Sequence, residues 1–179
     1  MKGDPAAIRH LNKILTGKLT AVNQYFLHAR MLKDWGLERL ADHSYQESIS
    51  KMKHADRLIE RILFLGGLPN VQRLNQVLVG ESVEEILRAD QKLEEKALGD
   101  LREGIAHAES VRDYVSRDLL LKILDDTEEH IDFLETQLQL FDTIGAQNYG
   151  QLNAKPADKA KTIVCTRLAG MPKASAASA

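Results

Sequence analysis

The chain of 179 residues is 44% hydrophobic and 28% charged, and its single cysteine is Cys165. A lone cysteine excludes an intramolecular disulfide and a cysteine-rich metal cluster, and no stretch is apolar for long enough to predict a membrane span. Residues 1–154 carry 25 acidic and 19 basic side chains, whereas residues 155–179 carry one acidic and five basic ones. The acidic body argues against nucleic-acid binding. Because the amino-terminal stretch lacks the apolar block of a secretory signal, we expect a cytoplasmic protein.

Two long helices are predicted in the first half. Asp4-Pro5 is typical of an N-cap followed by proline at the first helical position, and apolar residues recur at three- and four-residue steps from Ile8 to Phe26. Trp35-Gly36 interrupts this pattern. A second helical pattern begins near Leu37 and ends at Gly66-Gly67-Leu68-Pro69. The connector that follows, LPNVQRLNQVLVGES, has no helical stripe.

The second half predicts another helical pair. Ser82 and Glu85 are spaced as a capping box, which opens a third helix, and a fourth begins near Val111 and runs to Gly145. Short joins within each pair and one long crossover between the pairs predict an all-α, ferritin-like four-helix bundle. The segment AQNYGQLNA predicts a short fifth helix after Gly145. We expect one domain over residues 1–153 and a disordered basic tail over residues 154–179.

The spacing of two histidines is the first chemical signal. In di-iron carboxylate bundles, two of the helices each supply Glu-x-x-His, because side chains three positions apart lie within about 60° of each other on a helix. His54 and His130 are the candidates here, but Lys51 and Thr127 stand three residues before them. Spacing alone therefore leaves open that both histidines are surface or core residues with no metal.

Several segments are distinctive in combination: VNQYFLHARM, WGLERL, KMKHADRLIERILFLGGLPN, VRDYVSRDLL and EEHIDFLETQL. Together they resemble bacterioferritin over residues 1–153. The resemblance implies a hollow 24-mer cage that stores iron as a ferric mineral, with haem b held between pairs of subunits by one methionine from each. Met52 occupies the position of that methionine. The alternative is a methionine that fills a gap in an interface.

The family's ferroxidase centre has six ligand positions, and the resemblance maps them onto this chain. Three positions keep their ligands: His54, Glu94 and His130. The other three hold Lys18, Lys51 and Thr127, where active members have glutamates. Replacing four carboxylates by one carboxylate and two ammonium groups changes the local charge from about −4 to about +1, which disfavours bound ferrous iron. We therefore expect no intact di-iron centre, and expect the lysines to neutralise Glu94.

Other family positions indicate the same subunit type. Gln46 and Ser50 stand where active members have a histidine and an aspartate on the inner wall, while Tyr25 near the centre is retained. The chain resembles subunits that carry the haem methionine but lack an intact centre, which implies co-assembly with a second, catalytic bacterioferritin subunit. One alternative is an active ferroxidase that holds a single iron with the residual ligands and Glu47. Another is a structural cage subunit whose haem is incidental.

The resemblance also implies a redox partner and a channel. Leu68, Glu81 and Glu85 correspond to the apolar anchor and two acidic residues that dock a small [2Fe–2S] ferredoxin, which reduces the mineral through the haem. Asn148 and Gln151 correspond to polar residues of the fourfold channel. Plainer alternatives are that Leu68 plugs the loop, Glu85 caps a helix and the two amides are ordinary helix residues. The tail is either a binding segment or a passive extension, and the role of Cys165 is open.

Overall fold

The computed structural model describes residues 2–155, which form four α-helices. These are α1 (Pro5–Asp34), α2 (Glu38–Phe64), α3 (Val83–Ser110) and α4 (Tyr114–Asn153). α1 packs mainly on α2 and α3 mainly on α4, while α1 also contacts α3 and α2 contacts α4. α2 and α3 are therefore diagonal to each other, as are α1 and α4. The prediction of an all-α, ferritin-like bundle with one long crossover is confirmed. Residues 156–179, which include most of the predicted tail and Cys165, lie outside the described residues.

Local side-chain hydrogen bonds begin three of the helices. The Asp4 carboxylate accepts from the Ala7 N–H at 2.8 Å, and Ser82 Oγ accepts from the Glu85 N–H at 3.3 Å. The second half of the capping box is shifted by one residue, since Glu85 Oε2 accepts from the N–H of Glu81 at 2.8 Å. α4 begins at Tyr114 with Asp113 as its N-cap, not near Val111 as predicted. Val111 instead closes α3 as its C-cap.

α4 is kinked at Gly145. The backbone there has φ 77° and ψ 160°, a conformation that glycine adopts without strain from a Cβ atom. The residues predicted as a short fifth helix are helical as far as Asn153, but they follow this non-helical residue directly and form the last part of α4, not a separate element. Tyr149, beyond the kink, is buried, and its hydroxyl donates to Gln137 Oε1 at 2.7 Å. This contact holds the last turns of α4 against the helix that precedes them.

The crossover has no regular secondary structure and is held by polar side chains of α1. The acceptors lie four or eight residues apart along one stripe of the helix: Asn12, Thr20, Gln24 and His28. They accept in order from the N–H groups of Asn70, Asn75, Leu78 and Gly80, at 2.7, 2.9, 2.9 and 3.2 Å. Backbone donors of an irregular segment are thereby satisfied without a sheet or helix.

The bundle interior has two apolar clusters with a polar layer between them. One cluster surrounds Leu15, Leu58 and Leu101, and the other surrounds Leu32 and Leu134. On every helix, the residues between the two clusters in sequence include buried polar or charged side chains. Within residues 2–155, no helix is both long and apolar enough to cross a bilayer.

Candidate metal centre

All four helices contribute side chains to the polar layer. Its members are Lys18, Tyr25, Glu47, Lys51, Glu94, Thr127 and His130. Six of these residues are buried, and Glu47 lies at the edge with a side chain that is 22% exposed. An unpaired charge would be very unfavourable at this depth, so the pairing of these groups determines what the layer can bind.

Glu94 is the hub of the layer. Its Oε1 lies 2.9 Å from Lys51 Nζ and 3.0 Å from His130 Nδ1, and it accepts from the Tyr25 hydroxyl at 2.7 Å. Its Oε2 lies 3.8 Å from Lys18 Nζ. Burial raises the pKa of Glu94, but Lys18, Lys51 and His130 outweigh burial and hold that pKa well below its usual range. Glu94 is therefore an ionised carboxylate at neutral pH.

The two lysines reach across both diagonals of the bundle. Lys51 of α2 contacts Glu94 of α3, and Lys18 Nζ of α1 donates to Thr127 Oγ1 of α4 at 3.1 Å. Burial lowers the pKa of Lys51, but Glu94 and Glu47 together more than offset burial, so the net shift is upward. Burial lowers the pKa of Lys18 to about 8, despite the opposing attraction of Glu94. Lys51 is thus the more firmly charged of the two.

Glu47 changes the charge expected from the sequence. Its Oε2 lies 3.1 Å from Lys51 Nζ and 3.6 Å from His130 Nδ1. The layer therefore contains two carboxylates against two ammonium groups and is close to neutral, not positive by about one charge as the family positions alone indicated. The signal was present in the sequence, because Glu47 precedes Lys51 by four residues, one helical turn.

The predicted ligands are only partly brought together. Glu94 and His130 are in contact, whereas His54 Nε2 lies 2.7 Å from Asp126 Oδ2 at the rim of the bundle. Burial and the nearby Lys18 lower the pKa of His54, although Asp126 opposes this shift. Among residues 2–155, no group of three or more His, Cys, Asp or Glu side chains is arranged to hold a metal ion. A protonated lysine offers no lone pair to a metal, so the donor set as it stands does not suit a di-iron centre.

A polar cavity opens beside this layer. It has a volume of about 320 Å³, and its lining residues are His43, Glu47, Ser50, Asp126, Glu129, His130 and Phe133. The His43 ring stacks on Phe133 with centroids 3.7 Å apart, and burial lowers the pKa of His43. Ser50 thus lies in the cavity wall, while Gln46 is exposed. Sequence reasoning missed His43 because Leu40, and not a glutamate, stands three residues before it, although Glu47 follows it by one helical turn.

A second buried network joins α1, α3 and the crossover. His28 Nδ1 lies 2.9 Å from Asp90 Oδ1, and Gln24 Nε2 donates to the same oxygen at 2.8 Å. Because His28 Nε2 accepts from the Gly80 N–H, the ring proton sits on Nδ1 and is donated to Asp90. Burial raises the pKa of Asp90. Sequence analysis missed this network, although Asp90 precedes Glu94 by one turn of the same helix.

The remaining predicted residues lie on the surface of the subunit. Met52 of α2 is 52% exposed and Leu68 of the crossover is 84% exposed. Glu81 and Glu85 are exposed at the start of α3. Asn148 and Gln151 are exposed beyond the α4 kink, and Asn148 donates to the Ile144 carbonyl at 2.7 Å. All six side chains are accessible to another molecule.

Comparison with known proteins places the whole bundle in one family. A ferritin-like domain model matches residues 8–144. Bacterioferritin from Brucella melitensis is 50% identical over 161 residues, which cover 90% of this chain and all of the relative. Bacterioferritin from Rhodobacter capsulatus is 45% identical over the same length and coverage. A bacterial ferritin from Synechocystis is 48% identical over 152 residues, covering 84% of this chain and 97% of the relative.

Proposed function

Given that this chain belongs to the bacterioferritin family of ferritin-like proteins, we propose that it is a haem-binding subunit of an iron-storage cage whose own ferroxidase centre is disabled. Iron storage in a ferritin-like cage is the part of this function that family membership supports. The observation that carries the finer proposal is the contact of two buried ammonium groups, Lys18 and Lys51, with Glu94. The proposed setting is the cytoplasm, in a 24-mer that also contains a catalytic bacterioferritin subunit.

Electrostatic repulsion is the reason to propose a disabled centre. A ferrous ion about 4 Å from one ammonium group meets a repulsion of roughly 8 kcal/mol at an effective dielectric constant of 20. Lys18 can lose its proton more easily than an exposed lysine, because burial lowers its pKa to about 8. Lys51 cannot, since Glu94 and Glu47 raise its pKa. Lys51 is therefore the main barrier to iron at this centre.

Met52 is the residue proposed to hold haem. Its thioether is a ligand type found in haem proteins, and its exposure on α2 leaves it accessible to a second subunit. Two copies of Met52, one from each subunit, would hold haem b, which supplies one-electron redox chemistry when bound. This role does not require a working di-iron centre in the same subunit.

The crossover supplies the proposed docking surface for a [2Fe–2S] ferredoxin. Leu68 is the most exposed large hydrophobic side chain in residues 2–155, which favours an apolar anchor. Glu81 and Glu85 would attract basic residues of the partner, although the Glu85 carboxylate also accepts from the Glu81 N–H. Asn148 and Gln151 are proposed to line the fourfold channel of the cage.

Aerobic oxidation of ferrous iron tests the proposal. Two ferrous ions per subunit are added to the purified homopolymer and compared with an iron-only blank. We expect no acceleration by this chain and a gain of a rapid phase in the triple variant Lys18→Glu, Lys51→Glu and Thr127→Glu. The matched control places glutamate at an exposed lysine, Lys92→Glu. A rapid, saturating phase in the unaltered protein would overturn the disabled-centre proposal.

An active single-iron ferroxidase is the alternative function. It is favoured by Glu47, whose Oε2 lies 3.6 Å from His130 Nδ1 beside the small polar cavity. The same carboxylate oxygen lies closer to Lys51 Nζ, at 3.1 Å. A metal at this position must therefore displace an existing ion pair. Saturation at one iron per subunit in the assay above would identify this alternative.

A further inference from the structure

A basic cavity lies where the crossover passes α1 and α3. Its volume is about 820 Å³, within the range of roughly 300–1,000 Å³ typical of small-molecule sites. Four basic side chains line it: Arg9, Lys13, Arg73 and Lys96. Asp100 is the one carboxylate residue in its described wall. We call this feature the crossover cavity.

The crossover cavity keeps a net positive charge. Lys13 Nζ lies 2.8 Å from both Asp100 and Glu103, so this lysine is neutralised and one of the two carboxylates remains in excess. Within residues 2–155, no carboxylate lies within 4 Å of the charged groups of Arg9, Arg73 or Lys96, although residues 1–154 carry a net acidic charge. Four basic residues less two carboxylates leave a net charge of about +2 around one concavity, which creates a local positive potential on an acidic protein.

The wall that carries Arg73 is fixed at both ends. Asn12 accepts from the Asn70 N–H at 2.7 Å and donates to the Leu68 carbonyl at 3.2 Å. Thr20 accepts from the Asn75 N–H at 2.9 Å. The four residues between these hydrogen bonds, 71–74, thus cannot move far from α1. The other two cations are on helices, Arg9 on α1 and Lys96 on α3, so the three backbones that carry charge are held in place before a ligand arrives.

We propose that the crossover cavity binds a small anion bearing phosphate. Arginine binds phosphate oxygens through a planar fork of donors and lysine binds them as a point charge, so two arginines and a lysine suit a group with several negative charges. The cavity is larger than a phosphate ion needs, and the side chains of Asn70, Gln72 and Asn75 also line it. A free phosphate and the phosphate of a larger ester share this chemistry.

Binding of two probes to the full-length, iron-free assembly tests the proposal. Inorganic phosphate and ATP are titrated calorimetrically at low and at moderate ionic strength. Arg73→Ala and Lys96→Ala should each weaken binding about tenfold, the effect of losing one charge-assisted contact. Lys92→Ala is the matched control, because Lys92 is an exposed lysine one turn before Lys96 and outside the cavity. All variants keep the basic tail, so its contribution cancels.

The relative affinities of the probes identify the source of the phosphate. If phosphate and ATP bind with equal affinity, and Arg73→Ala and Lys96→Ala weaken the binding of both probes, the cavity is a free-phosphate site. Tighter ATP binding with the same dependence assigns a phosphate ester. The proposal is overturned if neither probe binds, or if Lys92→Ala weakens binding as much as Lys96→Ala. Circular dichroism of each variant checks that these exposed substitutions leave the fold intact. The result is independent of haem and of iron oxidation.

Discussion

Lys51 Nζ lies 2.9 Å from Glu94 Oε1, and this contact joins α2 to α3 across the diagonal of the bundle. Both side chains are at most 1% exposed. A second lysine, Lys18, joins the other diagonal through Thr127. The centre of this subunit is therefore crossed twice by hydrogen bonds and ion pairs between its own side chains. The ferroxidase centre that we propose to be disabled would thus be part of the packing of the bundle.

Removing the charge of Lys51 should destabilise the bundle strongly. We expect Lys51→Met to lower the free energy of unfolding by about 3–5 kcal/mol, because it leaves Glu94 buried with weaker compensation. Urea unfolding followed by circular dichroism measures this loss. The double variant Lys51→Met and Glu94→Gln should recover part of it, since the buried carboxylate is removed and Lys18, which then loses its partner Glu94, already has a pKa of about 8 and can release its proton. If the double variant is as unstable as the single one, the ion pair is not the cause.

The depressed pKa of Lys18 predicts a rise of stability with pH. Between the folded value of about 8 and the unfolded value of 10.5, the folded protein has released a proton that the unfolded chain still binds. The free energy of unfolding therefore increases with pH across this window, by up to about 3 kcal/mol from this group. Unfolding of the unaltered protein and of Lys18→Met at pH 7.5 and 10 measures the effect. Between pH 7.5 and 10, the free energy of unfolding of the unaltered protein should rise relative to that of Lys18→Met. A difference between the two free energies that stays constant would contradict the prediction.

The start of α4 should depend on Asp113. Its carboxylate accepts from the Ser116 N–H at 3.1 Å and from Arg61 Nη2 at 2.6 Å. Asp113→Ala should lower the free energy of unfolding by about 2 kcal/mol, measured by urea unfolding at pH 7. Asp118→Ala, at an exposed carboxylate paired with Arg117, should lower it by less than about 1 kcal/mol. Equal losses would show that the cap is not the stabilising feature.

The same residue gives a pH dependence of the same sign as that of Lys18, but in the acid range, because folding lowers the pKa of both groups and stability therefore rises with pH. Burial raises the pKa of Asp113, but the hydrogen bonds from Ser116 and Arg61 more than offset burial and lower it below 3.8. The stability from Asp113 is thus present above pH 3.8 and is lost as the pH falls through the folded value. The difference in the free energy of unfolding between the unaltered protein and Asp113→Ala should therefore become smaller as the pH falls below 3.8.

Two glycines provide a direct test of packing at the crossover. A Cβ atom at Gly80 would lie 2.3 Å from the backbone nitrogen of Ile86, whereas one at Gly99 would meet no atom within 4 Å. Gly80→Ala should therefore lower the melting temperature, with a loss of about 1–3 kcal/mol. Gly99→Ala, inside α3, should raise stability by about 0.5–1 kcal/mol. Thermal unfolding of both variants compares the two sites, and a neutral Gly80→Ala would mean that the crossover can shift freely.

Local signals predicted the helices, while the buried pairs depended on how the helices pack. Asp4 and Ser82 identified helix starts because a cap acts within three residues. Val111 misled the prediction, since an apolar residue fits the pattern of α4 but closes α3, and the left-handed Arg112 with φ 58° follows it. The contact of His28 with Asp90 joins residues 62 positions apart, so no local pattern indicates it. Lys51 was noticed because it stands three residues before His54, where a ligand carboxylate is expected, whereas Lys18 was noticed only through the family resemblance.

If the crossover is the docking surface, Leu68 should contribute strongly to the affinity for ferredoxin. Leu68→Ala should weaken binding of a [2Fe–2S] ferredoxin by tenfold or more, because an exposed leucine that becomes buried acts as an anchor. Leu74→Ala is the control, since Leu74 lies in the same crossover and is 46% exposed. Glu81→Ala should mainly slow association, and its effect should shrink as salt is added. Biolayer interferometry with immobilised ferredoxin separates the two rates. Unchanged affinity in both Leu68→Ala and Glu81→Ala would exclude this surface, and equal losses in Leu68→Ala and Leu74→Ala would indicate a general effect on the crossover instead of a specific anchor.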